Sequence, residues 1–132
     1  MFGWVSWMEG KVDGYPTSSP VTETEYLSRV MPLSGEVGLR WETPNRKLWA
    51  EAVTLMADKA DKLASADLTD NRIPPSGTPG YAVFTVRGGW RINPHANLTV
   101  ALENIADKEY RIHGSGVNEP GRNFIVAADV RF

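Results

Sequence analysis

Apolar residues fall on every second position in several short segments of this chain, and two very different lengths of connection separate those segments. In the stretch GRNFIVAADVRF, Phe124, Val126, Ala128, Val130 and Phe132 share one side of an extended chain, with Asp129 and Arg131 on the other. A period of two is the signature of a strand with one apolar face. The same alternation sets Val37, Leu39 and Trp41 against Gly38, Arg40 and Glu42. It sets Ala82, Phe84, Val86 and Trp90 against Val83, Thr85 and Arg87, and Leu98, Val100 and Leu102 against Thr99, Ala101 and Glu103. With Phe2–Val12 and a segment from Leu48 to about Ala60, six strands are expected.

The connections alternate as well. Residues 13–32, about 60–80 and 106–121 form long polar stretches, whereas 43–47 and 91–97 are tight turns. Gly14, Pro16 and Pro20 break the ladder in the first long stretch. Short turns on one side of a sheet and long loops on the other are the pattern of outer-membrane barrels. An ordinary soluble sandwich has no reason to sort its connections in that way. The expected fold is therefore all-β: an antiparallel up-and-down transmembrane β-barrel segment of about six strands, an incomplete barrel. One segment competes with this reading. KLWAEAVTLMADKADKLASAD has high helix propensity, and Leu48, Ala52, Met56 and Leu63 roughly follow a helical stripe. It is assigned as a strand because an ascending strand has to lie between the short turn and the long loop.

The 132 residues contain no cysteine, which excludes disulfides and thiolate metal sites, and a net charge of −2 gives no basic surface for nucleic acid. No run of about 18 apolar residues is present to form a membrane helix, but a spanning strand needs only about 9–11 residues. MFGWVSWMEG lacks the basic, apolar and small-residue regions of a signal peptide and resembles the middle of a strand, so the chain is expected to be part of something longer. Arg40, Glu42, Arg87, Glu103, Asp129 and Arg131 are expected to face a lumen or, in a soluble sheet, water. Trp4, Trp7, Trp41, Trp90, Tyr81 and Phe132 fall near strand ends, where rings form girdles at a lipid–water boundary.

Catalytic patterns are missing. The HGSG of His113–Gly116 has no accompanying G-x-S-x-G elbow, and His95 and His113 have no metal-ligand spacing. GTPGY lacks the context of a phosphate loop, and Asp67, Asp70 and Asn71 lack the spacing of a calcium loop. No catalytic, cofactor-binding or metal-binding residue is expected, and no cofactor.

Three stretches, taken in order, resemble the C-terminal end of TonB-dependent outer-membrane receptors. DNRIPPSGTPGYAVFTVRGGW resembles a loop running into a descending strand. In NLTVALENIADKEYRIHGSG, Asn104, Asp107, Lys108 and Tyr110 match the family's Asn-x-x-Asp-Lys-x-Tyr segment at the top of the penultimate strand. In EPGRNFIVAADVRF, Pro120, Gly121 and Arg122 match a Pro-Gly-Arg turn before the last strand, and Phe132 matches the terminal aromatic. The resemblance is strong over residues 67–132 and looser over 1–66.

The resemblance implies that residues 1–132 are the C-terminal portion of a receptor barrel, with the plug domain and earlier strands absent. It implies a place in the outer membrane and a part in active uptake of a scarce ligand: siderophore-bound iron, cobalamin or a glycan. Partners would be outer-membrane lipid, the remainder of the barrel and plug, the barrel-assembly machinery, and TonB only through the missing plug. Phe124, Val126, Ala128, Val130 and Phe132 would form the outer-membrane sorting signal. Asn104, Asp107, Lys108, Tyr110, Pro120, Gly121 and Arg122 would be structural, tying a loop back to its strand ends, with Gly121 supplying tolerance of positive φ. The family's barrel has twenty-two strands. Six cannot close around such a lumen, and an open sheet cannot leave its edges in hydrocarbon. A fragment that does not transport alone is expected. The alternative is a small soluble β-sheet module that binds a ligand such as a carbohydrate on exposed tryptophans.

Overall fold

The computed structural model describes residues 1–15 and 20–132. Its elements are β1 (Phe2–Ser6), β2 (Lys11–Gly14), β3 (Glu23–Tyr26), β4 (Ser34–Glu42), β5 (Leu48–Ala57), α1 (Ser65–Leu68), β6 (Tyr81–Asn93), β7 (Ala96–Glu103) and β8 (Asn123–Val130). Six strands make one sheet in the order β1-β4-β5-β6-β7-β8, every neighbouring pair antiparallel. β2 and β3 pair as a separate hairpin within the first long connection. The fold is thus an all-β, up-and-down open sheet, one stretch of wall from an incomplete barrel.

The register decides which side chains share a face. Leu39 lies opposite Ala52, Ala52 opposite Val86, Val86 opposite Leu102, and Leu102 opposite Phe124. The next row toward the short turns runs Trp41, Ala50, Gly88, Val100, Val126, and the row beyond it Leu48, Trp90, Leu98, Ala128. Toward the long loops the same face continues as Val37, Thr54 and Phe84, then Gly35, Met56 and Ala82. Thr54 is the one polar side chain in these rows. A one-residue slip in any strand would carry its apolar set to the other side, so the uniformity of this face is itself what fixes the register.

The strand reading of the ambiguous segment holds, because Leu48, Ala50, Ala52, Thr54 and Met56 alternate onto that face. Helix propensity survives only in the single turn α1. β5 ends at Ala57 rather than near Ala60, and Ala60 instead forms an isolated bridge with Thr78. The first segment also departs from expectation: β1 stops at Ser6, and Lys11–Gly14 leave the sheet to pair with Glu23–Tyr26. Gly10 accounts for part of this, since Leu27 lies against it where a β-carbon would be. β6 extends past Trp90 to Asn93, with a register shift between Arg91 and Asn93 and a tight turn at Pro94–His95. The Asn93 side chain accepts the His95 N–H at 2.8 Å and closes that turn.

Candidate functional site

The two faces of the sheet invert the usual rule of burial. On the apolar face Leu39 is 61% exposed, Trp41 60%, Phe124 68% and Val126 58%. On the opposite face Glu51 is only 7% exposed and Val83 6%. Glu51 lies between two guanidinium groups, 3.2 Å from Arg40 and 2.5 Å from Arg87. Arg40 also rests over the Trp49 ring, 4.4 Å from its centroid, and Trp49 in turn occupies the space where a β-carbon of Gly89 would stand. Farther toward the short turns Arg91 pairs with Glu42 at 3.2 Å. A buried carboxylate needs such partners to remain charged. Contiguous exposed apolar surface of this extent marks a surface that meets something other than water.

Arg40, Glu42, Arg87, Glu103 and Asp129 all fall on this polar face, and Arg131 lies just beyond β8, 3.2 Å from Asp129. The rings divide differently from the girdle expectation. Trp41 and Trp90 lie on the apolar face near the short turns, and Phe132 is fully exposed at the same end. Trp4 and Tyr81, however, sit opposite Glu36 and Ala57 on the polar face, and Trp7 falls outside the sheet. Strand parity places them there.

Above the polar face, at the long-loop end, lies a concavity of about 370 Å³ bordered by Glu36, Leu55, Thr85, Glu103, Tyr110 and Glu119. The long loops close over that end of the sheet. Asp67, 1% exposed, accepts the Ser28 hydroxyl at 2.5 Å, the Ala64 N–H at 3.0 Å and the Arg29 N–H at 3.4 Å. Burial pushes its carboxyl upward, but these hydrogen bonds, Ser28's foremost, outweigh it and hold the group below the usual carboxylate range. Asp70 pairs with Arg29 and Arg72, each at 2.7 Å. His113, 8% exposed, shares a 2.9 Å hydrogen bond with the Thr78 hydroxyl, linking the second and third long loops. Arg111 adds a bond to the Arg72 carbonyl at 3.3 Å. Among the described residues, no three His, Asp or Glu side chains gather as metal ligands.

The motif residues form one junction at the start of the third long loop. Asn104 is 3% exposed; its amide donates to the carbonyls of Lys108 and Pro120 at 2.9 and 3.1 Å, and its oxygen accepts the Lys108 N–H at 2.8 Å. Asp107 accepts the Arg122 N–H at 2.8 Å, and Arg122 Nε donates to the Ile105 carbonyl at 2.9 Å. Tyr110 packs tilted on Tyr81, ring centroids 4.6 Å apart. The positive φ angles are at Asn104 and Asp107, +47° and +52°, and not at Gly121. Asn and Asp tolerate this conformation better than other side chains. Gly121 is needed for a different reason: a β-carbon there would stand 2.7 Å from the Asp107 carboxylate. Phe124, Val126, Ala128 and Val130 lie along the apolar face of the edge strand β8.

Sequence reasoning did not single out Glu51 or Asp67 as organising residues. Glu51 carried a signal, being the lone carboxylate in a ten-residue strand. Asp67 carried none, because Ser28 and Arg29 are 39 and 38 residues away.

An open antiparallel sheet with an apolar exterior and a charged interior defines a barrel-wall fold. No protein-family model matches the chain, and no curated protein matches it in sequence. Among solved structures the chain is similar to the copper transporter OprC, with a TM-score of 0.68 and 22% identity across 82% of its length. The match covers 18% of that chain, so the present chain spans under a fifth of its neighbour's length. What the two share is the fold.

Proposed function

We propose that this chain is a membrane-spanning wall segment of an outer-membrane transport barrel, the C-terminal part of a TonB-dependent receptor. The observation that carries this reading is the inversion of burial: apolar side chains exposed in continuous rows on one face, a doubly paired glutamate buried on the other. Lipid covers the first face and the aqueous or plugged lumen meets the second. The similarity to a copper transporter supports a transport barrel and leaves the cargo open among scarce ligands. The segment does not transport alone. It contributes wall, loop cap and the Phe124–Phe132 sorting signal, and the remaining strands and plug complete the pathway driven by TonB.

The soluble-module alternative requires the Leu39–Ala52–Val86–Leu102–Phe124 row to be a core, yet Leu39, Ala52, Val86 and Phe124 are exposed and Leu102 is only half-buried. The test is expression of the full chain followed by membrane fractionation and purification with and without detergent. The expected result is recovery that depends on detergent. A monodisperse, detergent-free monomer with a cooperative melt would sink the proposal.

A further inference from the structure

The three long connections bring a basic cluster together beyond their end of the sheet. Arg29 lies between β3 and β4, Arg72 between α1 and β6, and Arg111 between β7 and β8. Arg29 and Arg72 each place Nη2 2.7 Å from Oδ2 of Asp70, so two guanidiniums share one carboxylate oxygen. Arg72 Nε also donates to Asp70 Oδ1 at 2.9 Å. Among the described residues Arg111 pairs with no carboxylate. Its Nε donates to the Asn118 side chain at 3.0 Å and its Nη1 to the Arg72 carbonyl at 3.3 Å. Glu109, two residues before it, accepts the Asn118 amide instead. Asp67, the other acid beside Arg29, is buried and satisfied by Ser28 and backbone N–H groups.

The HGSG stretch has a place in this cluster. Gly114 and Gly116 have φ angles of +78° and +76°. A β-carbon on Gly116 would stand 2.8 Å from Arg72 Cγ, and one on Gly114 3.8 Å from Arg29 Cδ. The third loop is thus bare backbone where it meets the two side chains that Asp70 holds together. Those side chains remain 52% and 44% exposed. Each guanidinium carries more N–H donors than these bonds use, and its planar fork matches the oxygens of a carboxylate or phosphate. Arg111 borders a small cleft with Ala57 and Tyr81, both on the charged face, so the cluster stands on that side of the sheet and away from the apolar rows. Glu36 and Glu103 lie within the strands of the same face and repel anions there, which confines the attraction to the loops. Resting on the transport-barrel reading above, we infer that Arg29, Arg72 and Arg111 form a contact for the carboxylate or phosphate groups of an anionic solute at the outer mouth. Asp70 keeps the first two guanidiniums side by side, and their free N–H groups, with those of Arg111, donate to the oxygens of the solute.

The probe is tricarballylate, a flexible tricarboxylate, compared with glycerol, the neutral triol on the same carbon frame. Each is titrated into the full chain in non-ionic detergent micelles at neutral pH and low salt, and the heat of binding is read. Saturable binding of tricarballylate alone is expected, weakening as salt rises. Arg111→Gln should weaken it about fivefold, the scale of one exposed charged contact. Asp70→Asn separates recognition from scaffolding. It keeps the shape and one acceptor oxygen for Arg29 and Arg72 but removes the competing charge, so tricarballylate should bind severalfold more tightly. Weaker binding in Asp70→Asn, an equal response to glycerol, or an Arg111→Gln variant that matches the parent overturns the assignment. Detergent dependence is read separately. A chain that stays monodisperse without detergent and still binds tricarballylate sinks the membrane reading and keeps the anion contact; a detergent-dependent chain that binds none does the reverse.

Discussion

The wall and the loop cap obey opposite rules of burial within one chain. In the cap Ala60, Ala64 and Ile73 form a small conventional core, and the polar side chains shielded with them, Asp67, Thr78 and His113, are hydrogen-bonded. In the wall the shielded side chains are Val83 and Glu51, the latter between two arginines, both on the charged face, while leucine, tryptophan and phenylalanine stand outward. The difference teaches that one sequence can follow two rules of burial. Above the ends of the strands it buries apolar atoms from water, and along the strands it leaves them outward, as the proposed lipid-facing wall requires.

The largest expected effect comes from adding a charge to the outward face. Val86→Arg, in the middle apolar row, should destabilise the segment by about 2–4 kcal/mol in a lipid environment. Thr85→Arg, one residue away on the opposite face, should cost less than about 1 kcal/mol, as surface changes usually do. Denaturant titration of both variants in micelles checks this, and equal costs would erase the distinction between the faces. In the cap, Asp67→Ala strands the Ala64 and Arg29 N–H groups and should cost about 2–3 kcal/mol locally. Hydrogen exchange should then rise across residues 60–78 and stay unchanged in β5 and β6; a uniform rise would mean that wall and cap are a single cooperative unit.

Glu51→Gln should be milder, about 1–2 kcal/mol, because Arg40 and Arg87 retain partial access to water and are screened there. Its unfolding midpoint should become less sensitive to salt than that of the parent. The smallest effect is one of pH. Because the folded carboxyl of Asp67 is held low, its contribution to the cap is complete above the ordinary aspartate value of about 3.9 and is lost as pH falls through the folded value. Acid proteolysis should therefore cut near residues 60–78 before the strands yield, and Asp67→Ala should abolish that pH dependence.

The wall was legible in the sequence and the cap was not. Alternation in β4, β6, β7 and β8 is local information, because each residue's face follows from its neighbours two positions away. β5 was harder, since Trp49, Val53 and Leu55 put apolar atoms on its polar face as well, and only its place between a turn and a long loop argued for a strand. The turn-out of Lys11–Gly14 was hidden, because it depends on a hairpin partner beyond Tyr15. The cap is built from contacts such as Arg29 with Asp70 and Thr78 with His113, 41 and 35 residues apart, for which no periodic pattern exists. At the motif the residue types were legible and the roles were exchanged: the left-handed backbone is at Asn104 and Asp107, and Gly121 provides room.

The Asn104 junction also bears on time. β7 and β8 are joined by the nineteen residues from 104 to 122, and closing so long a connection delays the pairing of its ends. Asn104 holds Pro120, and Asp107 holds Arg122, so most of that excursion is cinched off beside the ends of the strands. With the cinch formed, Glu103 and Asn123 meet as if across a short turn. The last hairpin can then zip early, leaving β8 already paired along one side.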